Sequence, residues 1–318
     1  MKIKLYYLVG AFFLLSAAPT VFTACSDDDP VLDDEQTEEK VPEEEAKPEK
    51  PQRKPETDIS QLSPEENKLI HSIYGKASID PQEITTVHQL AIITSVCASL
   101  YVDGPISVTD ALLNGDEITL VTLGGTEEVE GQATSMKESQ LAAFGKPNDY
   151  LTAVTHLFKD GIIPSQKPVV VTGISLGGMI AQQLLGQQDL LATHNLRAII
   201  TFGSPLTLPL ERQGVKVVRF ADVNDQVPEL GEMMLRTGLV TPAEMTQKEL
   251  KQKLDELDGA EKIVRTSKYS EMVETHALSY IEDPCWNDVD FLGDPNRGNV
   301  LTLQNTMRFY PAPKLKKE

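Results

Sequence analysis

From about residue 86 onward, short apolar runs alternate with longer amphipathic ones. Thr86 to Tyr101 spaces its apolar residues as a helix does, and Glu117-Ile-Thr-Leu-Val-Thr-Leu123 is β-branched and apolar, the pattern of a buried strand. Tyr150 to Lys159 predicts a helix, Pro168-Val-Val-Val-Thr172 a strand, and Leu176 to Leu185 a helix of small and apolar residues. Ala198-Ile-Ile-Thr-Phe202 and Lys216-Val-Val-Arg-Phe-Ala221 predict two more strands. Strands separated by helices imply a mainly parallel sheet with helices on both faces, the α/β class. Residues 229–275 break the rhythm. They are polar, with a helical charge run from Gln247 to Asp258, and they read as a helical insertion in a globular domain spanning 58–318. Upstream, Ser63-Pro64-Glu65-Glu66 has the cap, proline and early acids of a helix start.

Composition narrows the possibilities. The chain has 318 residues, 40% of them hydrophobic, which suffices for one sizeable core. Its formal charge of −19 would repel a phosphate backbone, so nucleic acid is not an expected partner. Much of that charge lies in residues 26–57, where 13 acidic residues accompany 5 basic ones and almost nothing is apolar. Such a stretch cannot offset its ordering entropy by burial, and it reads as an extended acidic tether.

The first residues read as an address. Lys2 and Lys4 precede the apolar run Leu5 to Ala18, the layout of an export signal over residues 1–24. The ending Phe22-Thr23-Ala24-Cys25 resembles the lipobox of bacterial lipoproteins, with Phe22 where a small aliphatic residue is usual. The resemblance implies that Cys25 becomes the lipidated first residue, anchoring the protein to a membrane. Ser26-Asp27-Asp28-Asp29 resembles the acidic tag that sends some Gram-negative lipoproteins to the outer surface, which implies an outer-membrane, surface-exposed location. Of the other cysteines, Cys97 sits in an apolar helical stretch and Cys285 far from it. Outside the cytoplasm both a disulfide and two free thiols are open to them.

Candidate chemistry centres on Gly173-Ile174-Ser175-Leu176-Gly177-Gly178, which follows a predicted strand directly and opens a predicted helix. Strand, tight turn and helix are what a nucleophile elbow requires, with Gly173 and Gly177 flanking Ser175 so that strand and helix can approach. The N–H of Leu176 would then face a developing oxyanion. A glycine-rich packing turn or an anion site would share the pattern, but no lysine follows Gly178 and the dinucleotide fingerprint is missing.

A serine needs a base. In the order serine, acid, histidine, His71, His88 and His156 come too early and His194 follows too closely, which leaves His276. The loop Asp222-Val223-Asn224-Asp225-Gln226-Val227-Pro228 after a late strand supplies the acid. Asp225 is favoured, and Asp222 is the alternative or a cap of the turn.

Leu123-Gly124-Gly125-Thr126, the elbow, Thr201-Phe-Gly-Ser-Pro205, Asn224-Asp225-Gln-Val-Pro228 and His276-Ala-Leu-Ser-Tyr280 together resemble the class 3 lipases, an α/β-hydrolase family. The resemblance runs from about Thr86 to Tyr280. It implies Ser175 as nucleophile, Asp225 as acid, His276 as base, and Thr126 with Leu176 as oxyanion donors. Ile174 stands where the family has histidine, and Gly124 where it has arginine. Glu127 to Lys137 is polar where the family's fungal lipases carry an apolar lid, so activation at a lipid–water interface is not expected.

The expected activity is hydrolysis of carboxylic esters, with an acyl ester or lipid as substrate and no cofactor. The chain lacks H-E-x-x-H, and Asp294-Pro-Asn-Arg-Gly298 lacks the acid an EF-hand needs, so no metal is expected. Alternatives are a surface binding lipoprotein on a hydrolase fold, or a hydrolase acting on thioester, phospholipid or polysaccharide acyl groups.

Overall fold

The computed structural model describes residues 83–99, 104–127, 131–242, 245–296, 298–304 and 307–315. The expected signal, Cys25, the acidic tether and the helix start at Ser63 lie outside the described residues.

The described residues form a mixed nine-stranded sheet with helices, an α/β architecture. β1 (Glu83–Ile84) leads into α1 (Val87–Ser99), whose start is a reciprocal cap: the Gln89 N–H donates to Thr86 Oγ1 while Gln89 Oε1 accepts from the Thr86 N–H. β2 (Ile106–Leu113) and β3 (Asp116–Leu123) form an antiparallel hairpin in which Leu113 faces Asp116. Its two-residue turn, Asn114-Gly115, has φ of 55° and 89°, the left-handed pair that matches strand twist.

α2 (Met136–Ala143) and α3 (Asp149–Lys159) then cross to β4 (Val169–Ile174). α4 (Leu176–Gln183) and α5 (Gln188–Thr193) connect to β5 (Leu196–Phe202), which is followed by β6 (Lys216–Asp222). β3, β4, β5 and β6 are parallel neighbours, as the alternating pattern implies. Late in the chain, β8 (Leu301–Leu303) and β9 (Arg308–Tyr310) return to pair antiparallel with opposite ends of β2.

Residues 229–275 hold a strand as well as the helices expected of the insertion. α6 (Val227–Arg236) and α7 (Gln247–Glu261) lead into β7 (Lys262–Arg265), a further parallel strand beside β6. α7 buries Leu250, Leu254 and Leu257, one to two turns apart, in the core cluster beneath the sheet. The charge run also turns inward. Arg219 of β6 is 2% exposed and donates to Glu232 on α6 at 3.2 Å and to Asp258 on α7 at 2.8 Å. With only two apolar residues, β7 is too short to give a periodic signal.

The two sheet faces carry separate cores. Val169 and Val171 point to one, with Val154, Phe158, Met179 and Ile180 of the helices. Val170 points to the other, with Leu90, Ile93, Phe220, Trp286 and Tyr280 of α8 (Met272–Glu282). Where α1 meets α8, His88 donates to the backbone carbonyl of Tyr280, and its Nδ1 has no partner among the described residues. Burial depresses its pKa below the usual histidine value, against the opposing fields of Asp283 and Glu282.

The unfolded chain therefore takes up a proton at this site that the folded one resists. Stability should fall as pH drops below about 6.5, the unperturbed histidine pKa. His88→Gln should flatten that slope, read from urea midpoints at pH 7.5 and 5. An unchanged slope would remove the assignment.

Cys97 lies in α1. Cys285, beside the C-terminus of α8, is a free thiol pushed up to about 12 by burial and the Asp283 carboxylate.

Candidate active site

Parallel strands in register bring their C-terminal ends to one edge of the sheet. Leu123 faces Gly173, Ile174 faces Phe202, and Phe202 faces Phe220. The loops that follow β3, β4, β5 and β6 therefore emerge side by side, the usual place for a site in such sheets.

Between β4 and α4 the chain turns at Ser175, whose φ of 53° and ψ of −120° are a conformation side chains rarely adopt. Two ties hold it: the Ser175 N–H donates to Phe202 O at 3.0 Å, and its carbonyl accepts from the N–H groups of Gly178 and Met179. A side chain on Gly173 would lie 2.3 Å from the Gly177 backbone, and one on Gly177 would lie 2.2 Å from the Leu123 carbonyl oxygen. Both glycines are required by close approach, as expected from the elbow.

Ser175 Oγ lies 3.0 Å from His276 Nε2, and His276 Nδ1 lies 2.9 Å from Asp225 Oδ2. All three side chains are buried. His276 comes from the first turns of α8, and Asp225 from the loop that joins β6 to α6. Asp225 is fixed on both oxygens: Oδ1 accepts the Val227 N–H at 3.0 Å, and Oδ2 also accepts the Tyr280 hydroxyl at 2.9 Å. Asp222 does not touch the histidine. It accepts the Asn224 N–H within its own turn, the capping alternative.

Tyr280 closes the segment His276-Ala-Leu-Ser-Tyr280, and its role in the site comes from the structure. It lies one helical turn after His276, fully buried, and its hydroxyl accepts the Asp222 N–H at 3.0 Å while donating to Asp225. Burial and the Asp225 carboxylate hold its phenol far above the ordinary tyrosine range, so it remains a donor. Its spacing from the histidine was the available signal. A residue whose role the motif reading missed is Gly203, with φ of 57°: a Cβ there would lie 2.9 Å from Asp225 Oδ2 and 3.2 Å from His276 Nδ1.

Leu176 follows the serine in the chain, and Thr126 follows Gly125 in the loop after β3. Gly125 passes over the serine so closely that a Cβ would lie 3.3 Å from Ser175 Cβ. Among the described residues neither the Thr126 N–H nor the Leu176 N–H has an acceptor, and both residues are buried. Two such donors beside one nucleophile can receive a negative oxygen. The loop they need is held despite Gly124: its N–H donates to Pro105 O at 2.8 Å, and its carbonyl accepts the buried Tyr150 hydroxyl at 3.2 Å. Ile174 packs in the core on the α8 side.

The other histidines stand apart. His156 is exposed on α3, and His194 contacts Thr193 and the Ile163 carbonyl. His71 lies outside the described residues.

No protein-family model, curated protein sequence or solved structure matches this chain.

Proposed function

We propose that the protein is a serine hydrolase of carboxylic esters, similar to the class 3 lipases and built on an α/β-hydrolase fold. One observation carries the reading: a buried relay of Ser175, His276 and Asp225 with both links at hydrogen-bond length, set on a strained strand-to-helix turn.

His276 Nε2 takes the proton of Ser175 as Oγ attacks the ester carbonyl. The tetrahedral oxyanion is held by the N–H groups of Thr126 and Leu176, with the Thr126 hydroxyl. The intermediate collapses, His276 gives the proton to the departing alcohol, and an acyl group remains on Ser175. Water, deprotonated by the same nitrogen, attacks that acyl carbonyl, and His276 returns the proton to Ser175 Oγ as the acid is released. The Asp225 carboxylate holds Nδ1–H throughout, so Nε2 keeps its lone pair toward the serine and the imidazolium is offset as it forms. In this reading Cys25 carries the lipid that fixes the enzyme to the outer membrane, with the acidic tether as spacer.

A fluorophosphonate probe should label the intact protein and not Ser175→Ala. The labelled protein from cells should enter the detergent phase on Triton X-114 separation, and Cys25→Ser should move it to the aqueous phase. Turnover across nitrophenyl esters from acetate to palmitate then gives the acyl preference. A folded wild type that neither labels nor turns over any ester sinks the hydrolase reading and leaves a binding lipoprotein.

A further inference from the structure

A late stretch of the chain is tied to the segment beyond Thr126. Pro311 to Leu315 runs antiparallel beside Gly131 to Ala133, with Pro313 opposite Gln132. The Ala133 N–H donates to the Ala312 carbonyl at 2.6 Å, and the Lys314 N–H donates to the Gly131 carbonyl at 2.9 Å. Between them the Ala312 N–H donates to Gln132 Oε1 at 2.7 Å. Ala133 and Ala312 are fully buried, in the core cluster that includes Tyr150. Leu315 ends the tie, its N–H donating at 3.0 Å to Asp149 Oδ2 in the first turn of α3.

The same tie reaches the loop after β3. Thr134, next to Ala133, holds Glu127 twice: its carbonyl accepts the Glu127 N–H at 2.8 Å, and its hydroxyl donates to the Glu127 carbonyl at 2.8 Å. Glu127 is the chain neighbour of Thr126, and on the other side Gly124 is held by Pro105 O and the Tyr150 hydroxyl. Thr126 therefore lies between two fixed points.

We propose that residues 311–315 are a positioning strap for the oxyanion site: through Gly131 to Thr134 they fix Glu127, and with it the backbone of Thr126. The inference rests on the hydrolase reading and extends it to residues far from the triad in sequence. An oxyanion donor serves catalysis only if it is in place before the charge develops, and a displacement of about 1 Å can cost about a hundredfold in rate. Stretches near a chain end ordinarily fray. Here Pro311 and Pro313 preset their φ angles, which lowers the entropy lost when the strap is held. Neither proline has an N–H, so the backbone donors are those of Ala312, Lys314 and Leu315, and each has its acceptor.

The test uses the full chain, with p-nitrophenyl acetate as probe. Lys314→Pro deletes the N–H that Gly131 accepts, and Gln132→Leu deletes the acceptor of the Ala312 N–H at similar volume. Together they should lower kcat about tenfold, with KM moving less than about twofold. Thr134→Val cuts the hydroxyl tie to Glu127 and should also lower kcat about tenfold. Added to the pair, it should give less than the product of the two losses, because both act through Glu127. The acid limb of the pH–rate profile should stay in place, since His276 and Asp225 are untouched. Lys314→Ala keeps the N–H and should stay within about twofold of wild type, which separates the strap bond from the side chain's charge. Wild-type kcat in the folded paired variant, a displaced acid limb, or losses that multiply overturn the inference while the hydrolase reading stands. If the paired variant does not fold, Thr134→Val decides alone, and wild-type kcat there overturns the strap. A wild type that neither labels with fluorophosphonate nor turns over ester overturns both.

Discussion

Asp225→Asn is expected to lower kcat about ten thousandfold while the protein stays folded. The reason lies in what each oxygen of Asp225 accepts. Oδ2 takes hydrogen bonds from His276 Nδ1 and the Tyr280 hydroxyl, and Oδ1 takes one from the Val227 N–H. An asparagine with its amide nitrogen at the Oδ2 position presents N–H groups to the ring. His276 must then accept at Nδ1 and carry its proton on Nε2, pointing at Ser175, where a lone pair is needed. Turning the amide over restores an acceptor to the ring but sets its nitrogen against the Val227 N–H, two donors face to face in a buried site. The first orientation disables the base, and the second carries the cost of the facing donors. The measurement is kcat on a nitrophenyl ester, with the rate of fluorophosphonate labelling falling in parallel. A loss below about tenfold would show that the carboxylate does not set the tautomer.

Gly203→Ala is expected to lower kcat/KM by about a hundredfold or more, through displacement rather than loss of any reacting group. The added methyl would sit 2.9 Å from both Asp225 Oδ2 and Tyr280 Cε2. Neither can give way, because Tyr280 stacks on Trp286 at 5.5 Å and packs beside Phe202, and Asp225 is held on both oxygens. His276 is what shifts. Alanine at φ of 57° adds a backbone cost of about 1–2 kcal/mol. Gly161→Ala separates the two contributions: Gly161 has φ of 72° with nothing within 4 Å of the added methyl, so it should lose stability and keep activity. Equal activity loss in both variants would mean that strain alone is responsible.

The relay itself was readable from the chain. Serine, acid and histidine stand in an order that left one histidine, and the structure brings Ser175, Asp225 and His276 within hydrogen-bond reach. The parallel strands β3 to β6 announced themselves because strands buried on both faces are continuously apolar. Other elements gave weaker signals or were passed over. Asn114-Gly115 is a strong hairpin signal that marks the end of β2, a strand whose own pattern is broken by Ser107, Thr109 and Asp110. β7, β8 and β9 have three or four residues each and owe their existence to neighbours that the sequence places far away. The partner Tyr280 depends on which helix face meets which loop, a matter of packing.

The pairing of β8 and β9 with β2 bears on how the molecule comes into being. β2 meets β3 across a two-residue turn, but its other flank is covered by strands nearly 200 positions later in the chain. A growing polypeptide can build the parallel half first and must wait for β8 and β9, at residues 301–310 of 318, before that flank closes. Until then an apolar strand presents unpaired N–H and C=O groups, the condition in which nascent chains stick to one another or to chaperones. Refolding of the complete chain should accordingly be slow, since its decisive contacts are among the most distant in sequence.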